Sequence, residues 1–371
     1  PTTETWFYRV DIPSDRKHFS KTKPMELKHF DDCIAWWNNR EVIPDGEYFK
    51  AQKYTADYLL NEQGCNIDLC GYPHEEEEVL APADLIQKYE EKRASLNAEI
   101  DRTILALSAS LNGEPVNFDT QGTISSCGKM DDLHKRFPED MKKSILQYAI
   151  QGKLVEQRLE EGTGAELYKQ MQAEKQRLIK EKKIKKEKTL VEITDDEIPF
   201  DIPETWIWIR VGDVGSWGSG ATPPRTNPAY YGGSIPWLKT GDLNDGFIKE
   251  VPEFITELAL EKTSVRLNPV GSVLMAMYGA TIGKLGILEI PVTTNQACCA
   301  CIPYAGMYNK YLFYYLMSMR QTYIGMAEGG AQPNISKEKI VNSILPLPPL
   351  EEQHRIVAKL EEILPLCERL K

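Results

Sequence analysis

The chain has 371 residues, 42% of them apolar and 27% charged, enough for two or three compact units with separate cores. No run approaches the ~18–20 apolar residues that a membrane span needs, and the opening Pro1 to Trp6 lacks the basic flank and apolar core of a secretory signal. A formal net charge of −11 excludes a protein that coats nucleic acid by charge alone, and eight scattered cysteines point to reduced, buried thiols and a cytoplasmic location.

The first stretch is aromatic (Trp6, Phe7, Tyr8), turns at Pro13 to Asp15 and becomes helix-like from His29 to Trp37. Trp36 and Trp37 are adjacent and cannot share one buried face, so one of them is expected to meet a partner surface or another contact inside the domain. A long helix is predicted from Pro82 to Ala109, with Leu85, Tyr89, Leu96, Ile100, Ile104 and Leu107 at three- and four-residue steps. A single-faced helix of that length calls for another helix.

Thr5 to Asp11, Asp15 to Lys21 and Phe30 to Ile34 resemble the C-terminal tail of a type I restriction-modification modification subunit, a DNA adenine methyltransferase. The resemblance covers about residues 1–110 and implies a mainly helical docking segment. Methyl transfer needs a Gly-rich cofactor loop after a strand and an Asn/Asp-Pro-Pro-Tyr/Phe motif that holds a flipped adenine, and neither occurs here. The resemblance therefore assigns S-adenosylmethionine to the complete modification subunit and leaves this chain non-catalytic.

Residues 111–129 have turn-forming pairs and no periodicity, which predicts a linker. From Met130 to Val155 the chain resembles the start of a specificity subunit of the same systems, so two joined pieces are expected, with a helical region over 130–197. After Pro138 a helix carries Met141, Ile145, Leu146, Ala149 and Ile150 on one face until Gly152. Thr163 and Glu166 form a capping box that opens the next helix. Between Lys169 and Lys188 nine basic residues stand against three glutamates, as a solvated face or as a helix near a phosphate backbone.

Residues 198–349 change to strands and loops. Trp206 to Val211 reads as a strand, Gly215 to Gly220 as a flexible loop, Ser234 to Leu238 as a lead into a turn, and Gly271 to Met277 as a buried strand. Cys298, Cys299 and Cys301 lie in an apolar, strand-like run, and Cys65 and Cys70 have no second pair at finger spacing, so zinc is the minor alternative and no metal site is expected. Asn227 to Tyr230 (Asn-Pro-Ala-Tyr) comes within one residue of the methyltransferase motif, but no nucleotide-binding strand and loop precede it. It supports a rival reading as a catalytic N6-adenine methyltransferase. Tyr308 to Met319 is apolar all round, which predicts a core helix.

The closing stretch combines Gly329 to Ile335 (Gly-Gly-Ala-Gln-Pro-Asn-Ile), Leu345 to Leu350 (Leu-Pro-Leu-Pro-Pro-Leu) and a helix whose stripe includes Ile356, Val357, Leu360, Ile363 and Leu364. These motifs resemble the end of a target recognition domain in type I specificity subunits. The resemblance implies an α+β chain: a mixed α/β recognition domain over 198–349, flanked by long helices, with the spacer helix beginning at 350–371 and the N-terminal docking segment ahead. The implied partners are double-stranded DNA, the modification subunit and the restriction (motor and nuclease) subunit. The candidate DNA-binding residues are Thr222, Arg225, Tyr230, Lys239, Tyr278, Thr281, Lys284, Asn295, Gln296, Gln332 and Asn334, because Asn and Gln pair with adenine, Arg and Lys with guanine. Helix docking is assigned to Ile100, Ile104, Ile145, Ile356, Leu360 and Ile363. Family members carry two recognition domains where this chain has one, so the uncovered stripe of the last helix suggests a homodimer, whose seam Pro365 is expected to limit by interrupting that helix. A helical scaffold without a DNA role is the third reading.

Overall fold

The computed structural model describes residues 3–11, 25–45, 48–62, 79–111, 120–186, 189–327 and 333–369, with the backbone alone at 48, 60, 62, 99–100, 103–111 and 120–131. These residues fall into two units, Pro1–Glu78 and Val79–Lys371. The α+β class holds, and the helix within residues 1–110 lies mostly in 82–110, whereas the first unit also holds a sheet. There β1 (Glu4–Tyr8), α1 (Asp31–Trp37), β2 (Ile43–Asp45) and β3 (Tyr48–Thr55) make a helix beside an antiparallel sheet of order β1-β3-β2. Thr5, Trp6, Phe7 and Tyr8 are strand formers, and the sheet and α1 give the three aromatic rings a surface to pack on. Trp36 is buried against Trp6 and Tyr8, with ring centroids at 5.6 and 4.9 Å, whereas Trp37 is 58% exposed beneath the Arg40 guanidinium.

The second unit begins with α2 (Pro82–Leu111) and α3 (Thr120–Ile150), which pack on each other. Two expectations fail here. Thr120 to Lys129 is helix where a linker is predicted, and α3 runs straight through Pro138. Proline removes one backbone donor and crowds the carbonyl four residues back. The helix continues because α2 holds the turn before the proline: Tyr89 stacks on Phe137 at 3.9 Å and its hydroxyl lies 2.8 Å from His134 Nδ1. Ser144 Oγ also donates to the Leu80 carbonyl at 2.6 Å, so α2 belongs with the second unit and not with residues 1–78. The side chains of Ile100 and Ile104 lie outside the described residues. The predicted capping box opens α4 (Gly164–Lys180), with Thr163 and Glu166 satisfying each other's backbone N–H groups.

Then follow β4 (Ile207–Arg210), β5 (Gly215–Ser219), β6 (Tyr231–Leu238), β7 (Gly246–Ile248), β8 (Phe254–Ile255), α5 (Glu257–Lys262), β9 (Leu267–Asn268), β10 (Val273–Ala276), β11 (Leu285–Leu288), β12 (Val292–Thr294) and β13 (Cys298–Pro303). The chain closes with α6 (Asn309–Ser318), α7 (Arg320–Gly325), α8 (Lys337–Asn342), β14 (Ile344–Leu347) and α9 (Leu350–Glu368). A five-stranded sheet, β5-β13-β10-β11-β7, lies at the centre, a four-stranded one, β8-β6-β12-β9, covers part of it, and β14 pairs with β4.

Alternation along the central strands explains their continuous apolar character. Val273, Met275, Cys299 and Cys301 join the cluster shared with α3, α6 and α9, while Leu274, Ala276, Cys298 and Ala300 join the cluster beneath β6 and β12. The same alternation turns Cys298 away from Cys299 and Cys301, and burial pushes the Cys298 and Cys301 thiols upward in pKa. Gly215 to Ser219, predicted as a loop, is the edge strand β5 paired with β13, because the backbone register supplies the bonds that its small residues cannot.

The apolar stripe of α9 is covered within the chain: Ile356, Val357, Leu360 and Leu364 are buried against α3 and α6, with Ile145 in the same cluster and Ile363 at its rim. Pro365 does not stop the helix, because Leu364 and Cys367 are buried on either side of it. The stripe therefore gives no ground for a homodimer.

Two buried polar groups fix the start of α9. Glu352 accepts from Trp206 Nε1 at 2.9 Å and Gln157 Nε2 at 2.6 Å, and Gln353 accepts from Tyr308 N while donating to the carbonyls of Gly306 and Pro348. Burial raises the Glu352 carboxyl, against the pull of Trp206 and Gln157. Elsewhere buried Arg210 donates to both carboxylate oxygens of Glu197 at 2.7 Å and to the carbonyls of Val191 and Glu192, strapping that segment to β4.

Glu352→Gln leaves one of the two donors facing an amide NH₂, so it should lower stability by about 1–3 kcal/mol, read as a lower urea midpoint at unchanged slope. The hydrogen bond from Arg210, ahead of the Thr194 backbone N–H, holds Glu197 down at about 2 from an ordinary 4.5. A depressed carboxyl contributes stability above its unfolded pKa and loses it as pH falls through the folded one. Thermal melts should therefore show stability lost between pH 4.5 and 2 that Glu197→Gln does not show.

Candidate nucleic-acid interface

The predicted base-reading residues come from separate strands, and the backbone brings most of them to one end of the central sheets. Ala221 N donates to Thr294 O at 2.9 Å, Asn295 N to Leu238 O at 3.0 Å, Met277 N to Ala297 O at 2.8 Å and Ile335 N to Met277 O at 2.9 Å. The ends of β5, β6, β10 and β12 and the starts of β11 and β13 are thereby tied together. Thr222, Lys239, Tyr278, Thr281, Lys284, Asn295, Gln296 and Asn334 all lie on these junctions. The approach is close: a Cβ on Gly220 would come within 2.1 Å of Thr294 O, so glycine is required there.

The side chains differ in what they offer. Thr222, Tyr278, Lys284, Gln296 and Asn334 are exposed, and Thr222 Oγ1 donates to Gln296 Oε1. Tyr278 and Asn334 pair through an isolated bridge, which fixes the residue after Pro333 beside the loop 278–284. Among the described residues Lys284 has no carboxylate within 4 Å. Thr281 turns its hydroxyl onto the Tyr278 carbonyl at 2.8 Å, a turn-stabilising bond. Asn295 faces inward, with Oδ1 buried and without a partner among the described residues. Its side chain therefore shapes the loop and presents no acceptor outward. Gln332 lies outside the described residues.

Arg225 and Lys239 converge on one carboxylate that sequence patterning does not mark. Glu253 pairs with Arg225 and, at 3.0 Å, with Lys239 Nζ, while the Arg225 guanidinium lies 4.3 Å from the Tyr231 ring centroid and 5.1 Å from that of Trp237. The bond from Arg225, followed by that from Lys239, lowers the Glu253 carboxyl. Asp242 lies beside them, accepting from Lys239 N at 2.8 Å, so the cluster is a charge-paired rim with the arginine held flat on aromatic faces. Tyr230 stands apart. It precedes β6, at the opposite end from Lys239, and packs on the cluster of Ile235, Trp237 and Ile255. Asn227, in the near-match to a methyltransferase motif, uses its Oδ1 to accept from Ala229 N at 3.2 Å and caps a short turn. Asp245 is a second group that the sequence does not mark. In a left-handed turn at φ 60°, it accepts from Leu285 N at 3.0 Å and pairs with Arg320, which also donates to Gly283 O at 2.9 Å, bracing the 278–284 loop from below.

A site of this kind binds by presentation. Exposed amides, a hydroxyl, an aromatic and an unpaired ammonium on braced loops can meet base edges and phosphates.

Known proteins extend the picture. The type I restriction enzyme EcoAI specificity subunit of Escherichia coli is 28% identical over 242 residues, 62% of this chain and 40% of that protein. The type I restriction enzyme EcoEI methylase subunit of Escherichia coli is 30% identical over 116 residues, 30% of this chain and 23% of that protein. The crystal structure of the HsdS subunit from Thermoanaerobacter tengcongensis aligns with a TM-score of 0.39 at 25% identity, over 56% of this chain and 46% of that one. The chain spans about two fifths of the length of the specificity subunits it matches. Residues 203–369, which build the sheets, the junction loops and α9, match the family described as type I restriction modification DNA specificity domain.

Proposed function

We propose that this chain is the DNA sequence-recognition component of a type I restriction-modification methyltransferase, directing adenine methylation and restriction to a specific bipartite site. The observation that carries this reading is the gathering of Thr222, Lys239, Tyr278, Lys284, Gln296 and Asn334 at one sheet end, inside the segment that matches a DNA specificity domain. Lys284 contacts a phosphate and Gln296 a base edge. Thr222 orients Gln296 through the hydroxyl that reaches its amide oxygen. Arg225 and Lys239, ordered by Glu253, offer N–H donors to phosphates at the rim.

The N-terminal piece is the tail of a modification subunit joined ahead of a partial specificity subunit, a reading supported by the partial likeness to a methylase subunit. The complete modification subunit supplies S-adenosylmethionine and the methyl transfer, the restriction subunit supplies the motor and nuclease, and the assembly works in the cytoplasm. No helix among the described residues is long and apolar enough to cross a membrane.

Fluorescence anisotropy across a salt series tests the reading, since log affinity for duplex DNA should fall linearly with log salt. Lys284→Ala should weaken binding to all sequences and lower that slope by up to about one unit. Gln296→Ala should keep the slope and lose ~1–3 kcal/mol of discrimination at one base pair, if its contact is bidentate. Parental affinity, slope and discrimination in both variants would remove this face from the DNA interface.

A further inference from the structure

A second basic feature lies away from the junction loops. A groove of about 470 Å³ opens between the segment following α4, the edge strand β5 and β9, and Lys175, Lys183, Lys185 and Arg266 line it beside Ser216 and Trp217. None of the described residues lining it is acidic. Lys175 has Asp213 at 2.9 Å and Lys183 has Glu181 at 2.8 Å, but among the described residues Lys185 and Arg266 have no carboxylate within 4 Å. In a chain whose formal charge is −11, two uncompensated cations beside two others are not the background composition. Bringing like charges together costs coulombic energy that an anion in the groove would offset.

The arginine is held in place. Its guanidinium crosses the outer side of β5 over Gly218, where a Cβ would come within 2.2 Å of Nη1, and Nη2 donates weakly to Ser216 Oγ at 3.4 Å. Any larger residue at 218 would displace it. The strand connects this groove to the junction loops: from Ser216 to Gly220 is four residues, roughly 13 Å at ~3.3 Å each. That is less than one helical turn of DNA, ~34 Å, so one duplex can reach both places.

We infer that the Lys175, Lys183, Lys185 and Arg266 groove is a phosphate site that clamps the DNA backbone within one helical turn of the bases met by the junction loops. The inference rests on the DNA-recognition reading and gives the lysine run after α4 a function: register along the duplex, independent of sequence.

The test measures anisotropy of a mixed-sequence duplex over a salt series. It compares the parent with Lys183→Gln/Lys185→Gln, with Arg266→Gln, with all three together and with Arg266→Lys. The triple variant should lower the slope of log affinity against log salt by up to about three units, near one for each phosphate no longer neutralised, equally for every sequence. Arg266→Lys should recover most of the loss at that position, because it keeps the charge. Lys183 and Lys185 are exposed, so their double variant should melt like the parent and still lower the slope by up to about two units. A parental slope in both the double and triple variants, with the parent binding DNA, overturns the groove and leaves the recognition reading intact. ATP binding that the triple variant abolishes, with DNA slopes unchanged, assigns the anion to a free nucleotide and likewise overturns it. A parent that does not bind duplex DNA overturns both.

Discussion

The arrangement of the second unit depends on a buried carboxylate, Glu352, in the first turn of α9. A charge taken out of water is costly unless its hydrogen bonds are made, and Glu352 makes them to Trp206 at the entry to β4 and to Gln157 behind α3. Neighbouring Gln353 is also buried and binds the turn that starts α6, while Arg355 grips both carboxylate oxygens of Glu161 ahead of α4. One helical turn thus joins three segments that are far apart in sequence: 157–161, the entry to β4 and the turn before α6. A shift of α9 would leave several polar groups buried without partners at once.

What this clamp secures is a central sheet packed on both faces. With helices on one side and β6 and β12 on the other, β10 and β13 have no solvated face, so their position is set by shape and by paired backbone. Loops leaving the end of such a sheet inherit its rigidity. Close backbone approach, as at Gly220 beside Thr294, and the brace of Asp245 and Arg320 carry that rigidity into the polar tips. Loop side chains can then vary without disturbing the core, a division of labour that suits the proposed role.

Charge is distributed to match. Acids at the junctions and beside the groove are engaged with particular partners, Asp245 with Arg320, Asp213 with Lys175 and Glu253 with both Arg225 and Lys239, and the groove lining itself carries none among the described residues. Arg225, flat on Tyr231 and Trp237, loses little further freedom on meeting a ligand.

The sequence by itself determined the elements whose signal is local. The Thr163–Glu166 box is written in two residues, the face of α9 and that of α2 at Leu85, Tyr89 and Leu96 in three- and four-residue spacing, the core helix α6 in its all-round apolar character, and the buried strand at 273–276 in a short apolar run. The polar loop residues were legible as a set, because Gly, Asn, Gln, Thr and Lys between strands suit presentation. Only the tertiary structure decided the rest. Pro138 and Pro365 read as helix boundaries, yet packing on either side of each outweighs one missing hydrogen bond. Gly215 to Ser219 reads as a loop, yet pairing with β13 makes it a strand. Whether Asn295 points out or in, that Tyr230 lies apart from Lys239, and that Glu253 joins Arg225 to Lys239 all depend on contacts between residues distant in the chain, for which no local pattern exists.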